Sequence, residues 1–191
     1  MRILALDLST VASGFAIIDA TAPVTDNIKL LRFGTIEPFE GLSESEKYFV
    51  IAHQAEMLIR VFHPDELIIE DTFYSKDPTV LKKLNRLAGH VQAIWYKLRR
   101  KDAIFYMAVS ARKTFGISGK ATKPEIVEAV NKYCGLRGRL KDHNAADAVV
   151  MAYHHALSGA DKAEQLVDPV LPEESTDFVK PIIKEKRVND G

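Results

Sequence analysis

"MRILALDLSTVASGFAIID" (1–19) opens the chain. Ile3, Ala5 and Asp7 alternate with Leu4, Leu6 and Leu8. That is the period of a β-strand over residues 2–8, with two mostly apolar faces, as in a sheet covered on both sides. After a small polar turn, Ser13-Gly14 begins a second strand on FAIID, and "KLLRFGTIEP" (29–38) reads as a third, ended by Pro38. These three form an antiparallel meander. What needs explaining is Asp7, a carboxylate at the end of what should be the first buried strand.

Further along, "LSESEKYFVIAHQAEMLIRVF" places Ser43 three residues before Glu46, the spacing of a capping box, and its apolar positions recur at helical spacing through Phe62. "DELIIED" (65–71) is a short run suited to a fourth strand. After Asp77-Pro78 a long helix is expected to about Arg100, then a fifth strand on "AIFYMAV" (103–109). A short helix, a glycine-containing loop and a helix starting near Thr122 follow. "LKDHNAADAVVMAYHHALSG" predicts a last helix from about His143 to Leu157, stopped near Gly159. The order βββαβαβ plus helices predicts an α/β fold, a mixed sheet with helices on both faces. Residues 159–191, with three prolines and dense charge, read as an extended or disordered tail.

The 191 residues carry 26 basic and 26 acidic side chains, and the zero sum hides a strong asymmetry. Residues 1–81 hold 6 Lys/Arg against 13 Asp/Glu, residues 82–141 hold 15 against 3, and residues 142–191 hold 5 against 10. An excess of +12 in one block predicts a polyanion surface, since phosphate neutralisation dominates nucleic-acid affinity. No apolar run of membrane-spanning length appears, and Asp7 interrupts any signal-peptide pattern. A single cysteine, Cys134, permits no internal disulfide and suits a reducing, cytoplasmic setting (a host's cytoplasm if the gene is a phage's). Gly116 and Gly119 belong to no Gly-x4-Gly-Lys-Ser/Thr phosphate loop.

Asp7, Glu70 at the end of the fourth strand and Asp147 in the last helix are the carboxylates that one sheet edge can collect. Clustered carboxylates repel, and divalent cations remove that penalty because they prefer oxygen ligands. Two such ions about 4 Å apart support phosphodiester hydrolysis.

With these three motifs, residues 1–158 resemble the RuvC-like Holliday junction resolvases of the ribonuclease H-like superfamily. "LALDLSTVASGFAIID" is similar to the family's opening strand, "LIIEDTFYSKD" to its second acidic motif, "SARKTFGISGKATKPEIVEAV" to its basic segment and "DHNAADAVVMAYHHA" to its final helix. The resemblance implies a ribonuclease H-like mixed five-stranded sheet, and Asp7, Glu70 and Asp147 holding two Mg²⁺ ions, for which Mn²⁺ substitutes. The family places a fourth ligand, Asp or His, three residues before the last Asp, where this chain has Asn144. Asp142 or His143 is then the expected fourth group, and Asp142 also suits a helix N-cap. Phe73 matches the aromatic that enters the junction, with Tyr74 and Lys76 beside it as further DNA contacts. Lys113 matches a lysine near the scissile phosphate and Lys123 a second; Arg112 and Lys120 are further candidate phosphate contacts.

The implied activity is structure-selective, metal-dependent cutting of four-way or other branched DNA by paired symmetric nicks. The implied partner is a second copy of the chain, touching through residues 79–100 with Leu81, Leu84, Leu87 and Ala88. Asn144 motivates an alternative, a non-catalytic junction-binding protein. An actin-like phosphotransferase, which also opens on a strand bearing Asp, needs two such halves, and about 160 structured residues are too few.

Overall fold

The computed structural model describes residues 1–21, 28–71 and 77–163, with side chains through Ser158. In chain order the elements are β1 (Arg2–Asp7), β2 (Ser13–Ala20), β3 (Ile28–Ile36), α1 (Glu44–Phe62), β4 (Glu66–Glu70), α2 (Pro78–Arg99), β5 (Ile104–Tyr106), α3 (Ala108–Arg112), α4 (Lys123–Tyr133) and α5 (His143–Ala163). The sheet order is β3-β2-β1-β4-β5. β1, β2 and β3 pair antiparallel, and β4 and β5 extend the sheet in parallel with β1.

The helix boundaries follow from caps. Ser43 and Glu46 close a reciprocal capping box at α1. Asp77 accepts from Thr79 N–H ahead of Pro78 at the start of α2, and the Glu125 carboxylate accepts from Thr122 N–H at α4. Three boundaries differ from the sequence reading by two residues or more. β3 ends at Ile36, before Pro38. The fifth strand is only three residues, because the chain turns at Met107 and Ala108 already begins α3. The last helix runs through Gly159 to Ala163, since a lone glycine weakens a helix without ending it.

Strand parity divides the core in two. Leu4, Leu6, Ile17, Leu67 and Ile69 pack against α1 and α2, where Leu87, Val91 and Trp95 are wholly buried. Leu87 therefore belongs to this core and is withdrawn from the expected contact surface, while Leu81, Leu84 and Ala88 are half-buried. Ile3, Ala5, Ala16, Ile18 and Ile68 face the other way, against α4 and α5. Asp7 continues the Ile3–Ala5 row and Glu70 the Ile68 row, so the same alternation turns both carboxylates toward α5.

Glu66 shares that row and pairs with His155 of α5, which also bonds the Tyr106 hydroxyl at 3.0 Å. Four strand residues from Glu66 to Glu70 span about 13 Å, and eight helix residues from His155 to Asp147 span about 12 Å. The Glu66–His155 pair thus sets the register that carries Asp147 to Glu70. The hydrogen bond from His155 holds the Glu66 carboxyl below its usual range, ahead of the opposing effect of burial. Its contribution to stability is present above the ordinary carboxyl pKa of 4.5 and is lost as pH falls through the lowered folded value. Melting temperatures measured against pH should therefore fall more gently below pH 4.5 in Glu66→Gln than in the parent.

Candidate metal and DNA site

β1 and β4 are parallel neighbours with Leu6 opposite Ile69, so the next residues, Asp7 and Glu70, emerge side by side at one sheet edge. Asp7 is 8% exposed and Glu70 half-buried. Burial pushes the Asp7 carboxyl well above the usual carboxylate range. A hydrogen bond with Glu70 and repulsion from Glu70, Asp147 and Asp142 push the same way. Asp147 is 6% exposed.

What brings Asp147 this close is Gly14. It sits opposite Asp7 in the β1–β2 register, and a Cβ placed on it would lie 2.1 Å from the carbonyl carbon and oxygen of Asn144 and 2.5 Å from the Ala145 nitrogen. The first turn of α5 rests directly on the β2 backbone at a glycine. Asn144 then clamps it there, its Nδ2 donating to the Ala12 carbonyl at 2.6 Å. The turn it grips is closed by Ser13 Oγ donating to the Ser9 carbonyl at 2.6 Å and accepting from Ser9 N–H at 2.9 Å. Asn144 thus has a structural use: it holds the hairpin turn beside the carboxylates. Replacing it with Ala should lower stability by about 1–2 kcal/mol, the typical cost of losing such a bond. Asn144→Asp should be no better, because a carboxylate has no proton to give the Ala12 carbonyl; thermal melts of both variants check this.

Asp142 caps α5, its Oδ1 accepting from Asn144 N–H at 2.8 Å and Ala145 N–H at 3.0 Å, and it is near enough to repel Asp7. His143 lines a shallow cleft with Lys123, Pro124, Val127, Glu128 and Lys141. Arg112, expected as a phosphate contact, grips Asp147: Nε donates to Oδ1 and Nη2 to Oδ2, each at 2.9 Å. The hydrogen bonds to Asp147, then the nearby charges of Asp147, Glu70 and Asp7, hold the guanidinium firmly protonated. Among the described residues no three Asp, Glu, His or Cys side chains are gathered to hold one ion as they stand; Asp7 pairs with Glu70, and Asp147 with Arg112.

Lys113, Lys120 and Lys123 are exposed on the segment from the 3-10 turn (Lys113–Phe115) to the start of α4. Phe73, Tyr74 and Lys76 lie outside the described residues. Sequence reading missed the clamp of Asn144, the close approach at Gly14 and the Arg112–Asp147 pair. The first two had a signal in "ASG" opposite "DHNAAD", but nothing local said those segments touch.

The donors of Asp7, Glu70 and Asp147 are all oxygen, a set that suits a hard cation, and the surroundings of Asp7 agree. Three acidic neighbours and burial leave its negative charge short of positive partners, and a divalent cation would relieve that.

A family model described as crossover junction endodeoxyribonuclease RuvC matches residues 3–155. Two curated relatives carry that same description. The one from Helicobacter hepaticus is 28% identical over 158 residues, 82% of this chain and 83% of the relative. The one from a Wolbachia of Drosophila simulans is 30% identical over 158 residues, 83% and 95%. Among solved structures, Thermus thermophilus RuvC in complex with Holliday junction substrate superposes with a TM-score of 0.74 at 17% identity, covering 85% of this chain and 96% of that one. The yeast mitochondrial Holliday junction resolvase gives 0.59 at 12%, covering 85% and 83%. Both show the same fold. A match across that span, on a frame that turns Asp7, Glu70 and Asp147 to one edge, places this chain in the RuvC family of crossover junction endodeoxyribonucleases.

Proposed function

We propose that this protein cuts four-way DNA junctions, and related branched DNA, by metal-dependent hydrolysis at the Asp7–Glu70–Asp147 edge. The observation that carries the reading is the parity of β1 and β4, which delivers two carboxylates to the helix face bearing the third. Divalent cations, two Mg²⁺ or Mn²⁺ ions, would be held by Asp7, Glu70 and Asp147, with Asp142 or His143 as the remaining candidates. When bound, such ions activate water and stabilise the leaving oxygen. The chain's own part is to fix the carboxylates on rigid elements. Lys113, next in the chain after Arg112, would steady the charge developing on the phosphate. Lys120 and Lys123 would hold flanking phosphates, and Phe73, Tyr74 and Lys76 would meet the junction centre.

A four-way junction needs two symmetric cuts, which supports a homodimer. α2 offers half-buried Leu81, Leu84 and Ala88, and Gly89 with open space before it. Among the described residues no helix is long and apolar enough to cross a membrane, and a cytoplasmic site of action fits a DNA substrate. The nuclease domain would run to the end of α5 at Ala163, past the boundary at 158 expected from the sequence, and residues 164–191 would form a charged tail.

The test compares a labelled four-way junction with a linear duplex of the same arms, in Mg²⁺ and in a chelator, alongside light scattering for the dimer. Cleavage confined to the junction and to Mg²⁺ supports the reading. Equal cleavage of the duplex would contradict its structure selectivity. Asn144 at a ligand position favours the second reading, a binding protein without cleavage, and a junction bound tightly but left intact would decide for it.

A further inference from the structure

We propose that Arg112 is an exchangeable counter-ion of Asp147: it holds this carboxylate until a divalent cation takes it, and the released guanidinium then serves a DNA phosphate. The inference rests on the reading of Asp147 as a metal ligand and adds how that ligand is controlled.

Both oxygens of Asp147 are engaged by one planar fork, at 2.9 Å each, and the pair is largely buried, the side chains 16% and 9% exposed. A bidentate, charge-assisted pair of this kind is among the stronger contacts a carboxylate makes. Any cation approaching Asp147 meets a guanidinium already on the oxygens it would use, and two positive charges on one buried carboxylate repel. Arg112 is also the last residue of α3, followed at once by the exposed Lys113. A guanidinium leaving Asp147 therefore enters the basic surface expected to hold DNA, where its fork suits a phosphate as well as a carboxylate. Substrate phosphate would draw Arg112 off Asp147 and so ease the entry of the ion. By linkage, the ion would strengthen the hold on phosphate.

A fixed role is the contrary possibility. An ionised carboxylate has about four lone-pair sites, so in a fixed role Arg112 would stay in place and merely orient Asp147 for an ion on the remaining sites. The two roles differ in sign: a competitor weakens ion binding, and an orienting partner strengthens it.

The experiment is Mn²⁺ binding to the full-length protein without DNA, at fixed ionic strength, followed by electron paramagnetic resonance of the free ion. Exchange predicts that Arg112→Gln binds Mn²⁺ about tenfold tighter than the parent, roughly the effect of 1.4 kcal/mol. Arg112→Lys, a point charge without the fork, should move the same way by less and covers the case in which the Gln variant folds poorly. Lys141→Gln removes a charge next to Asp142 and should change affinity less than about threefold; an equal gain there would overturn exchange in favour of a general field effect. Unchanged or weaker binding in both Arg112 variants, with Asp147→Asn abolishing Mn²⁺ binding, would overturn the exchange and leave Asp147 a ligand. Mn²⁺ binding that survives Asp147→Asn would overturn both.

Discussion

Asp7→Asn should abolish junction cleavage, by at least about 10³-fold, while raising the melting temperature of the protein in chelator. The two effects share one cause. Asp7 is 8% exposed, and burial, the Glu70 hydrogen bond and three acidic neighbours all disfavour its charged form. Because the folded pKa lies above the unfolded one, the native state binds the extra proton. Stability from this group is unpenalised below the ordinary carboxyl value of 3.8, and it declines as pH rises from there through the raised folded value. Above the raised folded value the full penalty applies, and a neutral amide of the same shape removes it. A gain of about 2–4 °C corresponds to ~1 kcal/mol in a chain of this size. Loss of activity with a gain in stability is the signature of a carboxylate kept for chemistry. A structural Asp would lose both, and thermal melts beside cleavage assays tell them apart.

Gly14→Ala should act in the opposite way, through the fold. One methyl group would stand 2.1 Å from the Asn144 carbonyl and 2.5 Å from the Ala145 nitrogen, and neither is a side chain able to swing aside. α5 must lift off β2, straining the Asn144–Ala12 bond and drawing Asp147 away from Asp7. Backbone overpacking of this kind costs about 3 kcal/mol or more, a fall in melting temperature of roughly 6–12 °C. Cleavage should fall with it even at temperatures where the variant is folded. A variant as stable and active as the parent would show that α5 does not depend on this contact.

The sequence carried the sheet well because its signals were local. Alternation in "ILALDL", the Ser43–Glu46 box and the Asp77-Pro78 start each depend on a few neighbouring residues, and the structure has all three where the residues imply. The short fifth strand and the long last helix were misjudged where local signals compete: "YMAV" suits a strand or a helix, and Gly159 resembles a stop. That Asp7, Glu70 and Asp147 come to one sheet edge was legible through order and spacing, together with the resemblance. The partners of Asn144 and Arg112 were not. Asn144 meets Ala12 across 132 residues and Arg112 meets Asp147 across 35, and no periodicity predicts which side chain closes such a gap. The adjacent His154 and His155 have separate partners: His154 bonds the Thr114 hydroxyl at 2.7 Å, and His155 ties α5 to Glu66.

The first measurement is cleavage of a four-way junction, each strand labelled in turn, by the unmodified protein in Mg²⁺ and in Mn²⁺, with binding followed in parallel. A metal-dependent nuclease of this family should give paired nicks at symmetry-related positions on two opposing strands, and none in chelator. Tight junction binding with no nick in either metal would contradict the assignment of Asp7, Glu70 and Asp147 to catalysis, and would leave a protein that holds junctions without cutting them.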